Sequence, residues 1–387
     1  MLNSPITIDS KLDDIGTTIF SVIAQLSEQH NAINLAQGAP NFESDPVLIA
    51  QVEDAMQQQH NQYAPLTGLA SLKEKVASKI QNLYQCTYNP DSEVLITASA
   101  SQALFTSIAA LVNPGDEVIY FEPSFDSYAP IVRLQGANPI GIKLAQPDFS
   151  IDWERVKATI TSKTRMIIIN TPHNPTGSVL SADDLIQLAE VTRSSNIIIL
   201  SDEVYEHMVY DNRPHLGMSS NQELAARSVV ITSFGKTFHV TGWRVGCCVA
   251  PQKLMDELVK VHQFMMYAAD TPMQYAFSHY LDVPSRYTDL AAFYQGKRDL
   301  MKQELAKGPF EVLPSNGSFF MLIKYGHISN KPDSDVVQTL IKDFGVSTVP
   351  LSSFYSDGTD NRIIRLSYSK HDQTIIDGVN ALNKFSG

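Results

Sequence analysis

Short apolar runs alternate with helix-like segments from about residue 46 to 280, and this alternation constrains the fold more than any other sequence feature. The runs are EVLITAS, DEVIYFEP, NPIGIKL, RMIIIN, NIIILSDE, SVVITSF and RVGCCVAP. Several of them, including MIII and IIIL, lack alternating polar residues, which is typical of strands covered on both faces. The pattern therefore predicts an α/β protein with a mostly parallel central sheet and helices on both faces.

The pattern changes after the helical stretch at about residues 287–307. FEVLPS, SFFMLIK, VSTVP and RIIRLSYS are strand-like, and helical patterns lie between and after them, which predicts a smaller α+β domain. The first 45 residues include the Gly/Pro turn INLAQGAPNF and are too short for a core of their own. We expect them to pack with the C-terminal part, giving a large domain at 46–284 and a small domain at 1–45 and 285–387.

Composition and charge narrow the class of function. The 387 residues carry a formal net charge of −12 and show no basic cluster, which disfavours nucleic acid and anionic membrane surfaces as partners. The sequence has neither a signal-peptide pattern at its start nor an apolar stretch long enough for a membrane span. Three cysteines cannot form a disulfide framework. We expect a cytoplasmic enzyme that acts on small molecules.

Several common cofactor motifs are missing from the sequence. No G-x-G-x-x-G fingerprint follows a strand-like run. Gly235, Lys236 and Thr237 imitate the end of a phosphate-binding P-loop, but the first glycine of that motif would fall at Val230, inside a strand-like run. No H-E-x-x-H or paired C-x-x-C spacing appears, so no metal site is predicted.

Polar residues follow several of the predicted strands, where ligands of parallel α/β sheets bind. Asp202 ends the run IIILSD, and a buried acid there requires a positive partner such as a protonated pyridine nitrogen. Asn174 and Tyr205 follow two of these strands and could donate to a phenolate oxygen. The alternatives are a helix cap for Asp202 and ordinary turn chemistry for Asn174 in NTPHNPTG.

A phosphate site is predicted where ITASASQALF passes from a strand into a helix. Ser99, Ala100 and Ser101 are small, and free amides at a helix N-terminus bind phosphate, although a simple serine cap is an alternative. Arg244 could bind the same phosphate through two hydrogen bonds, and Ser233 could add a hydroxyl.

These residues together suit pyridoxal 5'-phosphate, which has a pyridine nitrogen, a phenolate, a phosphate and an aldehyde. Lys236 would supply an amine for the aldehyde, and Phe125 could stack on the ring. Desolvation and the nearby Arg244 would favour the neutral amine that this reaction requires. The alternatives are a solvated lysine at a helix start and a phenylalanine in the core.

The motifs NTPHNPTG, SDEVYE, SFGKTFHVTGWRVG and RIIRLSYS, in this order, resemble the class I and II aminotransferases of fold type I, which depend on pyridoxal 5'-phosphate. The resemblance covers about residues 12–385. INLAQGAPNF, NQYAPLTGLASLKE and FEPSFDSYAP resemble the subgroup that contains methionine aminotransferases, kynurenine aminotransferases and glutamine transaminase K. Ser99 and Gln102 stand where relatives often have glycine, which leaves the shape of the phosphate loop open.

The resemblance implies roles for individual residues. Lys236 would be the Schiff-base lysine that also moves the substrate proton, Asp202 would pair with the pyridine nitrogen, and Phe125 would stack on the ring. Tyr63 would reach the phosphate in the partner subunit, which implies a homodimer with composite sites. The remaining cofactor contacts would come from Asn174 and Tyr205 at the phenolate and from Ser99, Ala100, Ser101, Ser233 and Arg244 at the phosphate.

The resemblance also implies a substrate site. Arg365 would bind the α-carboxylate with help from Asn174 and the backbone of Gly38, whereas Arg362 would lie on the other face of the strand. Ile19 and Phe20 would form apolar walls. The segment 261–285 contains no Lys or Arg that could bind a second carboxylate.

We therefore expect transfer of the amino group of methionine, aromatic amino acids or glutamine to a 2-oxo acid. A cysteine-conjugate β-lyase at the same site is the main alternative. A ligand-binding module of a transcription regulator, which would need a basic DNA-binding extension, and a structural protein are further alternatives.

Overall fold

The computed structural model describes residues 6–387, and within them the chain forms thirteen strands and fifteen α-helices. The strands are β1 (Ile33–Asn34), β2 (Val94–Thr97), β3 (Glu117–Glu122), β4 (Asn138–Lys143), β5 (Thr164–Asn170), β6 (Ile198–Asp202), β7 (Ser228–Ser233), β8 (Gly246–Val249), β9 (Glu311–Val312), β10 (Phe320–Lys324), β11 (Val346–Ser347), β12 (Val349–Pro350) and β13 (Ile363–Ser367). The helices are α1 (Ile19–Gln29), α2 (Pro46–Gln57), α3 (Ala70–Tyr84), α4 (Ala100–Leu111), α5 (Tyr128–Leu134), α6 (Trp153–Thr159), α7 (Ala182–Thr192), α8 (Gln222–Ala225), α9 (Phe234–Thr237), α10 (Gln252–Met265), α11 (Thr271–Tyr280), α12 (Ser285–Thr288), α13 (Leu290–Leu305), α14 (Asp333–Phe344) and α15 (Asp372–Leu382).

Seven strands form the central sheet in the order β2-β8-β7-β6-β5-β3-β4, and all seven apolar runs of the sequence become strands. The sheet is parallel except for β8, which runs antiparallel to both of its neighbours. Successive residues of β5 belong to different core clusters, Ile167 and Ile169 to one and Met166 and Ile168 to the other. Both faces of the sheet are therefore covered, as the uninterrupted apolar runs predict.

The remaining strands form two smaller sheets. One has the order β12-β13-β10-β9 and is antiparallel, and the other pairs β1 with β11 in parallel. The N-terminal segment thus joins the chain's C-terminal part through Ile33 and Val346. The domain boundaries at 45/46 and 284/285 stay a prediction.

The carboxyl ends of the central strands bring the predicted site residues to one edge of the sheet. Asn170, which ends β5, lies beside Asp202, which ends β6. Strand β8 is antiparallel, so its first residue, Gly246, lies beside the last residue of β7, Ser233. Arg244, just before β8, reaches the same edge because of this reversal.

Within residues 6–387, no helix is long and apolar enough to cross a membrane.

Candidate active site

A cavity of about 270 Å³ opens at the carboxyl edge of the central sheet. Every predicted cofactor and substrate residue except Tyr63 and Ile19 lines it, and four further residues line it that the sequence did not suggest. The complete lining is Phe20, Gly38, Ser99, Ala100, Ser101, Leu104, Phe125, Asn170, Asn174, Asp202, Val204, Tyr205, Ser233, Lys236, Arg244, Phe320 and Arg365.

Lys236 lies in the single-turn helix α9, directly after β7. The Ser233 hydroxyl caps this helix by accepting a hydrogen bond from the Lys236 backbone amide at 3.3 Å. The Lys236 amine donates to the Gly38 carbonyl at 3.3 Å. Burial, and then the positive charges of Arg244 and Arg365, lower the pKa of Lys236 to about 8. A substantial fraction of this amine is therefore neutral and nucleophilic near neutral pH.

Asp202 lies deep in the cavity wall and is only 4% exposed. Tyr128 donates its hydroxyl proton to Oδ2 of Asp202 at 2.8 Å, and the Val204 amide lies 3.4 Å from Oδ1. Burial raises the pKa of Asp202 to about 6, while the bond from Tyr128 opposes this rise. The carboxylate has no salt bridge within the described chain, so it is prepared for a cationic ligand group.

The N-terminus of α4 forms one end of the cavity. The backbone amides of Ala100 and Ser101 have no hydrogen-bond partner among the described residues, as is usual in a first helical turn. Ser99 caps the helix with φ at 83°, a conformation that normally favours glycine. Gly246 lies against this turn so closely that a Cβ there would be 2.6 Å from the Ala100 nitrogen.

Arg244 stands above the same helix end, also with a left-handed backbone at φ 55°. Its guanidinium donates to the Thr241 carbonyl at 3.1 Å and is otherwise exposed. Helix amides, serine hydroxyls and a guanidinium thus line the same cavity, which is a suitable arrangement for a phosphate group.

Arg365 is the largest fully buried side chain of the protein and is 1% exposed. It donates to Oδ1 of Asn174 at 2.8 Å and to the Ala36 carbonyl at 3.0 Å. Its Nε is buried without a partner in the described chain. Burial lowers the pKa of Arg365 to about 9, and the nearby Tyr205 and Asp126 oppose this shift.

Aromatic side chains surround the Arg365 guanidinium. The rings of Phe320, Phe354 and Phe20 lie 4.0, 4.9 and 5.2 Å from it. The faces of these rings stabilise the positive charge. They leave the N–H groups of the guanidinium available to hydrogen-bond acceptors. A small carboxylate entering the cavity would find such donors beside apolar walls.

Four lining residues escaped the sequence analysis, namely Leu104, Asn170, Val204 and Phe320. Asn170 donates to the Asp202 carbonyl at 2.9 Å and accepts from the Asn174 amide at 2.8 Å, so it ties two site segments together. Its position at the end of RMIIIN is the signal that could have found it. Tyr128 lies behind the residues that line the cavity. Apart from its position three residues after Phe125, nothing in the sequence indicated that it belongs to the site.

Three residues differ from the expected placement or lie outside the cavity. Tyr63 is 85% exposed and contacts Tyr267 edge to face at 5.5 Å, so it does not reach this chain's own site. Ile19 faces a groove beside α14 instead of the cavity, because α1 turns only Phe20 inward. Arg362 precedes β13 and donates to Asn330 at 2.9 Å, away from the cavity as expected.

The charges of the cavity fit pyridoxal 5'-phosphate. Lys236, Arg244 and Arg365 make no salt bridge with any residue between 6 and 387, and Asp202 is the only acid in the lining. A ligand that balances these charges would carry two anionic groups, or one anionic group together with a bound carboxylate, and one cationic nitrogen opposite Asp202. No group of three or more metal-ligating side chains occurs in the described part of the chain.

Comparisons with known proteins agree with this chemistry. Residues 30–381 match the family model of aminotransferase class I and II. The chain is 40% identical to methionine aminotransferase of Escherichia coli K12 over 97% of its own length and 98% of that protein. It is 30% identical to a kynurenine–oxoglutarate transaminase of Dictyostelium discoideum over 93% and 92% of the two chains.

A solved structure supports the same assignment. An Escherichia coli protein with an identified methionine aminotransferase function superposes with a TM-score of 0.96 at 39% identity, over 98% of this chain and 100% of that one. These similarities confirm the predicted resemblance, the fold type and the class of reaction. The chain belongs to the class I and II aminotransferases.

Proposed function

We propose that the cavity holds pyridoxal 5'-phosphate and that the enzyme transfers the amino group of methionine, aromatic amino acids or glutamine to a 2-oxo acid. The observation that carries the proposal is the set of three unpaired cations facing one buried acid across a single cavity. The similarity to methionine and kynurenine aminotransferases supports the same function.

The lining residues divide the work of holding the cofactor. Ser99, Ala100, Ser101, Ser233 and Arg244 would bind its phosphate, and Asn174 and Tyr205 its phenolate oxygen. Asp202 would keep the ring nitrogen protonated, and Phe125 would cover one face of the ring. When bound, the cofactor supplies an aldehyde that condenses with amines and a ring that withdraws electrons from the substrate α-carbon.

Lys236 moves the proton of the reaction in this proposal. Its pKa of about 8 lets Nζ be neutral in part of the population, as a base must be. Nζ would take the proton from the substrate α-carbon and would deliver it to the cofactor carbon that bears the aldehyde. Its contact with the Gly38 carbonyl shows that the amine can form a hydrogen bond within the cavity when it is not transferring a proton.

Arg365 orients the substrate by binding its α-carboxylate, with Asn174 holding the guanidinium in place. Phe20, Phe320 and Leu104 give an apolar surface for the substrate side chain. Because the segment 261–285 has no Lys or Arg, a second carboxylate on the substrate has no cation to meet there. Methionine and aromatic amino acids are the donors that fit best.

A homodimer is part of the proposal. Tyr63, Phe264 and Tyr267 are 85, 88 and 49% exposed, which is unusual for aromatic side chains near one another on a monomer surface. A second copy would cover them and bring Tyr63 to the phosphate of the partner's site. A cytoplasmic location is supported by three buried cysteines that all remain free thiols.

A half-reaction screen tests the proposed function. The purified protein loaded with cofactor is mixed with single amino acids, and the cofactor spectrum is followed without any 2-oxo acid. Methionine, aromatic amino acids and glutamine should change the spectrum fast, and aspartate slowly. Equal rates for aspartate and methionine would contradict the proposed specificity, and pyruvate with ammonia from cysteine conjugates would favour the β-lyase alternative.

A further inference from the structure

Three cations hold one irregular loop over the active site. Arg365 donates to the Ala36 carbonyl at 3.0 Å, Lys236 to the Gly38 carbonyl at 3.3 Å, and Lys370 to the Ala39 carbonyl at 2.7 Å. The residues between 36 and 39 lie outside any helix or strand, so their carbonyls have no ladder partners. We call these residues the 36–39 loop.

Both flanks of the 36–39 loop are fixed independently of these cations. The Leu35 carbonyl accepts from the Ser367 amide at 2.7 Å, and Asn41 accepts from the His371 amide at 2.7 Å. Inside the loop, the amides of Ala36 and Gln37 bond only to the nearby Asn34. The three cations therefore make all the hydrogen bonds that tie this loop to other parts of the described chain.

The 36–39 loop cannot move far without changing the shape of the catalytic cavity. Gly38 lies so close to the aromatic wall that a Cβ would be 2.7 Å from the Phe320 ring and 2.8 Å from the Phe319 ring. A small outward movement of the loop would open the cavity beside Phe320 and Arg365. The loop's position thus sets the shape of the substrate site.

Two of the three cations are committed to ligands under the proposed function. Arg365 would bind the substrate carboxylate, and Lys236 would leave the Gly38 carbonyl to react. Lys370 does not line the catalytic cavity but a separate surface groove on the other side of the loop, together with Ala39. Its contact can persist through the whole reaction.

Lys370 is difficult to explain by stability alone. It is 3% exposed, makes no salt bridge within residues 6–387, and its amine donates to one neutral carbonyl. Burial lowers the pKa of Lys370 to about 8, and no carboxylate of the described chain opposes this shift. A buried charge of this kind is generally less stabilising than an apolar residue of similar size.

We propose that Lys370 is a positioning residue that keeps the 36–39 loop closed over the substrate while Arg365 and Lys236 are engaged with ligands. This inference rests on the proposed function for the roles of Arg365 and Lys236. Its direct consequence, a loop that loosens without the Lys370 amine, is a property of the chain itself.

Hydrogen–deuterium exchange of the protein without cofactor tests that consequence. Lys370→Met should raise exchange of the amides in 36–41 by about tenfold, since a hydrogen bond from a charged donor is lost. Lys370→Arg keeps a charged donor and should stay within about threefold of wild type. The matched control is Lys73→Met, which removes another buried amine, bonded to Thr67 at 3.1 Å and remote from the loop, and should leave 36–41 unchanged.

A binding measurement on the holoenzyme tests the consequence for substrate. The probe is 4-(methylthio)butanoate, which has the carboxylate and the side chain of methionine but no amine. Lys370→Met should raise its Kd and the KM for methionine by about tenfold, while kcat and the Kd for the cofactor change less than about threefold.

Two results would overturn the positioning role. One is wild-type exchange of 36–41 in Lys370→Met. The other is exchange raised equally across the whole chain in both Lys370 variants, which would indicate a purely structural lysine. Failure of the wild-type protein to bind cofactor or transaminate would refute the proposed function but would leave the exchange result to decide the loop contact.

Discussion

Tyr128 donates its hydroxyl proton to Oδ2 of Asp202 at 2.8 Å, behind the wall of the catalytic cavity. The bond favours the charged carboxylate, yet burial still raises the pKa of Asp202 to about 6. In the protein without ligand, Asp202 is therefore a buried acid without a cation. The free-energy cost of burying this acid is offset only if a ligand supplies a cationic group.

Asp202→Asn should have opposite effects with and without cofactor. The pKa of Asp202 in the folded protein, about 6, lies above its ordinary value of 3.8, so the free energy of unfolding falls as pH rises from about 4 to 6. Without cofactor at pH 8, Asp202→Asn should be more stable than wild type by about 3 kcal/mol, because it removes this loss and can still accept from Tyr128.

With saturating cofactor the order should reverse, since the amide cannot balance a protonated ring nitrogen. Thermal or urea unfolding at pH 4 and pH 8, with and without pyridoxal 5'-phosphate, measures all four cases. The same order of stability in both the presence and the absence of cofactor would argue against a cationic ligand group at Asp202.

Lys236 should react with an aldehyde faster as pH rises through about 8, because the neutral amine is the nucleophile. Arg244→Gln removes a positive charge that lowers the pKa of Lys236, so the profile should move to higher pH. The probe is pyridoxal, which has no phosphate and so does not depend on Arg244 for binding. Arg362→Gln, outside the cavity, is the matched control. An unchanged profile in Arg244→Gln would show that the charge of Arg244 does not influence the pKa of Lys236.

Arg365→Leu should reduce kcat/KM for methionine by about a hundredfold or more, as expected for loss of a buried partner of a substrate charge. Cofactor binding should be preserved, because Arg365 lies at the substrate end of the cavity. Arg362→Leu, three positions earlier, should behave like wild type. Steady-state kinetics and the cofactor spectrum measure both effects, and equal losses in the two variants would disprove the assignment of Arg365.

Phe264→Asp should dissociate the proposed homodimer, since a charge would replace an 88% exposed aromatic side chain in the predicted contact. Cofactor affinity should fall together with dimer content, because Tyr63 of the partner would no longer reach the phosphate. Ile186→Asp, at a 53% exposed residue of α7, is the control. Sedimentation that shows a monomer for the wild-type protein would rule out composite sites.

The sequence predicted the central strands and the site residues that end them because both depend on local order. Apolar runs such as RMIIIN define buried strands, and the carboxyl ends of parallel strands must meet at one edge. That rule made Asp202, Ser233 and Asn174 candidates, and the resemblance to the family then gave them roles. The reversed direction of β8 does not follow from the rule, because strand orientation is set by pairing between distant residues.

Contacts between distant segments account for what was missed. Tyr128 and Asp202 are 74 positions apart, and Lys370 and Ala39 are 331 positions apart, so no local pattern links them. Ile19 and Phe20 are adjacent, but only one of two neighbouring helical side chains can face the cavity. Gly246, from another strand, lies close to the turn at Ser99, where φ is positive, and this too is a contact between distant segments.

The most direct test of the central claim is to locate the attached cofactor. The protein loaded with pyridoxal 5'-phosphate is reduced with borohydride, digested and analysed by mass spectrometry. We expect one modified peptide per chain, with the reduced cofactor on Lys236. A label on another lysine such as Lys370, or an unmodified Lys236 in an active enzyme, would contradict it.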